Sequence, residues 1–311
     1  MKNITACVQY KKEYIYATYV YSEKRRHGCI TYKNTEIETT GTFDLSLDGD
    51  RLIASNSNSM MVIDLGKKES LEGTSASVSA ELYSTVYENG INNYKHCLHR
   101  DKLYSVGLGV YSEIDLHTGS ISKHTYYCNN SKCIHDILSI VVDDKYIYIG
   151  CDIGCLSYID RKTHETVHTV SYSGGVTWLN TISNKKDRID QSTDIDGVEG
   201  ASLEVGTYSG EYSLISGNFQ KIDKNTGGII WRVYKTTVNG NVYNILAQSY
   251  DGIGIYTEDM VEIRTVPTDD LVYTVKIDEE SKVITGYNYY KGTLIKINLY
   301  EAIDSAKNIQ K

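Results

Sequence analysis

Two adjacent pairs in this chain carry side chains suited to catalysis. His135-Asp136 sets an imidazole beside a carboxylate, the usual makings of a general base or of a partner for a bound cation. Trp231-Arg232 sets an aromatic face beside a permanent positive charge, a pair suited to an organic cation or a developing oxyanion. Tyr273 offers a further aromatic wall. Asp152, Tyr208, Asp251 and Tyr290 fall in hairpin turns, where such groups most often bond their own backbone. No Gly-x-Ser-x-Gly elbow occurs, and Ser173 and Ser209 sit in turns that need small polar residues anyway. Two further sets invite a zinc reading: His96-Cys97-Leu98-His99, and Cys128 with Cys133. Neither has a second pair at finger spacing, so no metal and no organic cofactor is expected.

What must position these residues is a set of short strands. Runs of Ile, Val, Tyr and Leu are broken by Asn, Asp, Gly and Ser, and sustained helical periodicity is hard to find. One unit recurs seven times: a strand, a small or polar turn, and a second strand often ending in Ile-Asp, as at Ile63-Asp64, Ile114-Asp115 and Ile159-Asp160. Turn centres near Tyr19, Asn56, Gly107, Cys151, Gly206, Ser249 and Tyr287 give a period of about 40–55 residues, that of a propeller blade. A further apolar strand precedes most units: Ile4–Tyr10, Phe43–Leu47, Ile134–Val141, Val176–Ile182, Ile229–Tyr234 and Val272–Ile277. These are expected to line a central channel. The expectation is an all-β, seven-bladed, WD-repeat-like β-propeller forming a single domain over residues 1–311. A polar insertion over about 184–201 reads as a surface loop. The tail from Ala302 fits strand or helix equally.

Composition narrows the partners. A net charge of −8 without a long Lys/Arg cluster argues against nucleic acid and anionic membranes. No apolar run is long enough to span a bilayer. Seven scattered cysteines and a strand-like N-terminus suggest a reduced, cytoplasmic protein, expected to be monomeric, with Cys used as small core residues. Tyr, at 28 residues against 2 Phe and 2 Trp, suits half-buried strands, and compositional drift accounts for most of the excess.

Over the second half the sequence resembles the diphthine methylesterase family of WD-repeat proteins. Gly227-Gly228-Ile229-Ile230-Trp231-Arg232 is similar to that family's Gly-Gly-Val-Trp-Arg strand. Asn244 through Gly252, Asp270-Leu271-Val272-Tyr273 and Val283 through Tyr290 follow its later motifs in order. Gly150-Cys151-Asp152-Ile153-Gly154 and Gly206-Thr207-Tyr208-Ser209 match more faintly. Family acids are replaced at Ile153, Ser209 and Lys291, and a family His by Tyr172.

The resemblance implies a carboxylic ester hydrolase. Its substrate would be the methyl ester of methylated diphthine on elongation factor 2, a side chain that also carries a trimethylammonium group. In that reading Asp136 or His135 activates water, and Arg232 orients the ester or its oxyanion. Trp231 and Tyr273 face the cation, and Tyr208, Tyr290, Asp152 and Asp251 complete the binding surface. The alternative is a non-catalytic WD-repeat scaffold, the commonest role of this architecture.

Overall fold

The computed structural model describes residues 3–66, 83–128, 131–182, 202–216 and 221–309. The insertion expected over about 184–201 lies outside them. Among the described residues seven antiparallel sheets form successive blades, each running from an inner strand outward, and a two-stranded ribbon lies between the third and fourth. The fourth blade shows the plan: Ile137–Val142, Tyr146–Cys151, Cys155–Asp160 and Thr166–Ser171 pair in chain order. Inner strands of the other blades are Ile4–Tyr10, Thr42–Asp48, Lys95–His99, Val176–Ile182, Arg232–Val238 and Val272–Asp278. The expected inner strands correspond to these within a few residues, apart from Lys95–His99, which is too polar to stand out.

Blade geometry follows from local chemistry. The Ile of each Ile-Asp is buried and the Asp caps the next turn. Asp115 accepts the N–H groups of His117 and Thr118, both at 2.9 Å, and Asp160 accepts those of Lys162 and Thr163 at 2.8 and 2.9 Å. In the second blade the strand Arg51–Asp64 turns back through Asn58, whose φ is 74°, and Leu65 N–H donates to Asp50 O. Hydroxyls near the tops of inner strands reach the neighbouring blade: Ser139 donates to Val176 O at 2.8 Å, Thr5 to Thr42 O at 2.5 Å, and Thr177 to Ile230 O. Each such bond ties a hydroxyl of one blade to a backbone carbonyl of the next.

Apolar side chains fill the clefts between blades, as where Ile245, Ile255, Val275 and Ile284 pack together. Among the described residues the ring closes without strand exchange. Asn3 N–H donates to Tyr289 O and the Tyr14 hydroxyl to Ile277 O, both at 2.9 Å, joining the first blade to the seventh. The seventh blade has three strands, and the tail forms a helix, Leu299–Ile309, whose Leu299, Ala302 and Ile303 are buried.

Candidate functional site

The inner strands begin at the upper mouth of the channel, and several begin with an irregularity. In the second blade Thr42 pairs with Asn56 and Asp44 with Ser55, leaving Phe43 as an extra residue. In the seventh the register shifts between Val272 and Val275, at Tyr273. Trp231 N–H donates to Ala247 O, while Arg232 is also the partner of Ala247; Tyr94 and Lys95 share Val106 in the same way. A bulge re-aims the side chain it carries. Here it presents Phe43, Tyr94, Trp231 and Tyr273, one from each of four blades, at one end of the channel, all half-buried.

Their rings form two strings of contacts. Tyr208 lies 5.8 Å from Trp231, Trp231 5.1 Å from Tyr273, Tyr273 5.3 Å from Tyr289, and Tyr289 4.9 Å from Tyr290, centroid to centroid. Tyr19 lies 4.6 Å from Phe43, and Phe43 5.3 Å from Tyr94. The Tyr289 hydroxyl donates to Tyr19 O at 2.9 Å and joins the two strings. The result is an aromatic arc running from the fifth blade round to the third. The fourth blade, between its ends, contributes Asp136 and Asp152.

Both acids are felt by the arc. Burial first, and then the charge of Asp136, pushes the Tyr94 phenol up to about 12. The Tyr208 phenol is raised by burial first and then by Asp152, Tyr273 and Asp136. An arc of phenol and indole faces with carboxylates at its gap is the environment that attracts an organic cation.

The sequence-predicted residues separate into groups. Trp231, Tyr273, Tyr208 and Tyr290 share the arc, with Tyr290 at its exposed end. Asp136 stands just before its inner strand, not on it, and His135 beside it is exposed. Asp251 is a turn residue: its carboxylate accepts Ile229 N–H at 3.0 Å and holds the entry to Trp231. Ser173 and Ser209 both donate to Glu211 at 2.8 Å.

Arg232 lies one layer below the arc. Its guanidinium crosses the channel to Asp44 of the second blade, 2.8 Å away, and also donates to Phe43 O at 3.3 Å. Lys95 approaches the same carboxylate at 3.0 Å, and the His96 ring lies 3.5 Å from it. Burial alone would push the Asp44 carboxyl up, but Lys95 and Arg232 outweigh it and hold it down at about 2. The expected oxyanion role of Arg232 therefore meets a guanidinium already engaged, and by an inner-strand acid.

Sequence reasoning missed Phe43, Tyr94, Asp44 and Lys95. A signal was present: an aromatic residue precedes a polar or charged one in Phe43-Asp44, Tyr94-Lys95, Trp231-Arg232 and Tyr273-Thr274. The first of each pair faces the mouth. Of the second members, Asp44, Lys95 and Arg232 meet beneath it.

The His96 and His99 pair does not assemble, because residues three apart on a strand face opposite sides. His96 sits between the hydroxyls of Ser46 and Ser55, at 2.6 and 2.7 Å, while His99 meets Asp144 at 3.0 Å. Cys128, Cys151 and Cys155, expected as separate core residues, meet in one place. Two clefts, of about 540 and 620 Å3, lie away from the arc, one between the seventh and first blades and the other at the lower edge of the third and fourth. The second is lined by His99, His117, His164, Asp101 and Glu113, but among the described residues no three of these meet as metal ligands; the aromatic arc with its acids assigns the site to the mouth.

No protein-family model matches the chain, and no curated protein matches it. Among solved structures it is similar to the β-propeller domain of Cps50 (Swd1) from Myceliophteria thermophila. The TM-score is 0.65 at 11% identity, over 96% of this chain and 97% of that one. At that identity the likeness establishes the fold alone: the chain is a seven-bladed β-propeller.

Proposed function

We propose that the mouth receives a quaternary ammonium group borne on a protein side chain, and that the chain hydrolyses a methyl ester on that same side chain. The substrate is the methylated diphthine of elongation factor 2, as the sequence resemblance implies. The observation that carries the reading is the aromatic arc from Tyr208 through Trp231 and Tyr273 to Tyr289, with Asp136 and Asp152 at its gap. Aromatic faces and carboxylates stabilise a trimethylammonium group that cannot donate a hydrogen bond.

Asp136 is the base. It takes a proton from water as the oxygen attacks the ester carbonyl; methanol departs, and the product is the free carboxylate. Tyr94 supplies a hydroxyl beside Asp136 to the tetrahedral oxyanion. Arg232 acts indirectly here: tied to Asp44, it fixes the inner strands beneath Trp231 and Phe43. The protein acts in the cytoplasm, where elongation factor 2 is found.

The test is incubation of the purified chain with the methyl-ester form of elongation factor 2. Expected is a mass loss of one CH2 per modified histidine, slowed about 10²–10⁴-fold in Asp136→Asn. Absence of any mass loss, with a substrate that a known esterase does process, refutes hydrolysis.

One observation favours a second reading. With Arg232 sequestered, the groups turned to the mouth are chiefly carboxylates and aromatic rings, which suffices for binding without turnover. A non-catalytic adaptor that docks methylated basic side chains predicts saturable binding of trimethylammonium peptides and no change in substrate mass.

A further inference from the structure

Three cysteine sulfurs converge beneath the fourth blade's upper turn. The Sγ atoms of Cys128, Cys151 and Cys155 all lie within 4.8 Å of one another, and all three residues are buried. Cys133, also buried, belongs to the same core cluster but stands outside this group of three. Three thiols therefore meet where a core would ordinarily place hydrocarbon, with a fourth close by.

Two hairpins bring them together. Tyr127–Cys128 pairs with Ser131–Lys132, and Cys133 N–H donates to Tyr126 O at 2.9 Å, so Cys128 and Cys133 flank one turn. Cys151 and Cys155 flank the other, which closes through Gly154 at φ 81° with its N–H on Cys151 O at 3.1 Å. The first hairpin belongs to the crossover from the third blade to the fourth; the second is the fourth blade's upper turn. Gly109, at φ 61°, lies so close to the Cys133 carbonyl that a Cβ there would collide with it. Its N–H donates to His135 O at 3.1 Å, which holds the crossover in place.

We propose that these cysteines bind one zinc(II) ion, with Cys128, Cys151 and Cys155 as ligands and Cys133 as the fourth. Tetrahedral Zn–S bonds of about 2.3 Å need sulfurs about 3.8 Å apart, a spacing that falls inside the 4.8 Å bound on the three sulfurs here. The ligand set is a Cys-x4-Cys pair and a Cys-x3-Cys pair, separated by 17 intervening residues. Thiolate sulfurs select a soft or borderline ion over magnesium or calcium. Hydroxyls stand around the ligands: Tyr126 donates towards Cys155 Sγ at 3.7 Å, and Ser157 lies 3.8 Å from the same atom. Such outer donors offset thiolate charge and orient the ligands. Zinc replaces the thiol protons, which leave to solvent.

The ion's role is structural. It ties the crossover to the fourth blade at the place where that blade supplies acids to the mouth. Asp136 stands three residues beyond Cys133, and Asp152 directly follows Cys151. The site is independent of the ester chemistry, so metal binding and esterase activity stand or fall separately.

The experiment loads the full chain with zinc, removes excess by gel filtration, and measures bound metal by mass spectrometry of the elements. Expected is one equivalent per chain, lost in Cys151→Ser and Cys155→Ser and retained in Cys7→Ser. Cobalt(II) in place of zinc should give thiolate-to-metal charge-transfer absorption. Because a variant can fail through misfolding, unmutated protein is also alkylated with iodoacetamide in urea, with and without zinc. Peptide mapping should show metal protection of Cys128, Cys133, Cys151 and Cys155 but not of Cys29. Less than a tenth of an equivalent of zinc, or equal alkylation of these four with and without it, overturns the proposal; so does a disulfide between any two of them in freshly purified, unoxidised protein.

Discussion

Arg232 of the sixth blade and Asp44 of the second meet across the central channel at 2.8 Å, three blades apart by the shorter way round the ring. Asp44 also receives Lys95 at 3.0 Å, so one buried carboxylate answers two half-buried cations. Removing it leaves both without that partner in a medium that penalises uncompensated charge. Asp44→Ala should therefore cost about 3–5 kcal/mol. Arg232→Met removes one cation but leaves Asp44 with Lys95, and should cost less. Urea denaturation of the two variants measures the order; a milder effect for Asp44→Ala than for Arg232→Met contradicts the arrangement.

The aromatic arc has its own reporter. The chain holds two tryptophans, Trp231 in the arc and Trp178 on the fifth blade's inner strand. In a Trp178→Phe background, indole emission reports the mouth alone. Tetramethylammonium or a trimethyllysine peptide should change that emission saturably. Tyr273→Ala should weaken the effect about 2–30-fold, the range for removing one desolvated cation–π partner at about 0.5–2 kcal/mol. Tyr300→Ala, on the exposed face of the C-terminal helix, should leave it unaltered. Equal titrations for all three proteins would show that the cation binds elsewhere or not at all.

The fold was legible because its signals are local and repeated. Small-residue turns at a regular period and an Ile-Asp at the end of a strand need nothing beyond the blade itself. Two inner strands, Ile4–Tyr10 and Val176–Ile182, end where sequence alone places them. Lys95–His99 escaped because two of its residues serve a charged cluster whose other members lie far away in sequence. Lys95 and His96 look like surface residues until Asp44 and Arg232 arrive beside them. The mouth was half legible for the same reason. Trp231 and Tyr273 stand in stretches that resemble a known family, whereas Phe43 and Tyr94 gain meaning only when the ring closes. The cysteines show the limit most plainly: Cys128 and Cys155 are 27 residues apart, and only the packing of one hairpin on another brings them together.

The cluster beneath the mouth should also shape acid stability. Burial first pushes the His96 imidazole down from 6.5 to about 4, against the pull of Asp44 and with Lys95 and Arg232 reinforcing it. The folded protein thus holds His96 neutral where the unfolded chain would protonate it. Its contribution to stability is complete above about 6.5 and is lost as pH falls towards 4. Over that interval the loss is on the order of 3 kcal/mol. Asp44 adds a second loss lower down, as pH falls from the unfolded value of 3.8 to about 2. Denaturant midpoints should decline between pH 6.5 and 4 in the parent and less steeply in His96→Gln, which cannot titrate. Parallel curves for the two would remove His96 from the account.

The C-terminal helix stands where other blades have a fourth strand, and its attachment can be tested separately from the mouth. Asn298 caps it, its side-chain oxygen accepting Tyr300 N–H at 3.0 Å and Glu301 N–H at 3.4 Å, and Glu301 lies in the first turn. Leu299, Ala302 and Ile303 enter the same apolar cluster as Ile297, Ile255 and Val275, so the helix covers the seam between the sixth and seventh blades. Leu299→Ala should cost about 2–5 kcal/mol through the cavity it opens, and Asn298→Ala about 1 kcal/mol through the lost cap. Ser305→Ala, on the exposed side, should be nearly silent. The cost should fall on the edge of the ring and leave Trp231 emission unaltered below the melting transition. Hydrogen exchange of the sixth and seventh blades can read this directly. If Leu299→Ala raises exchange in the second and third blades as much as in the sixth and seventh, the ring melts as one unit and the helix is not a local seal.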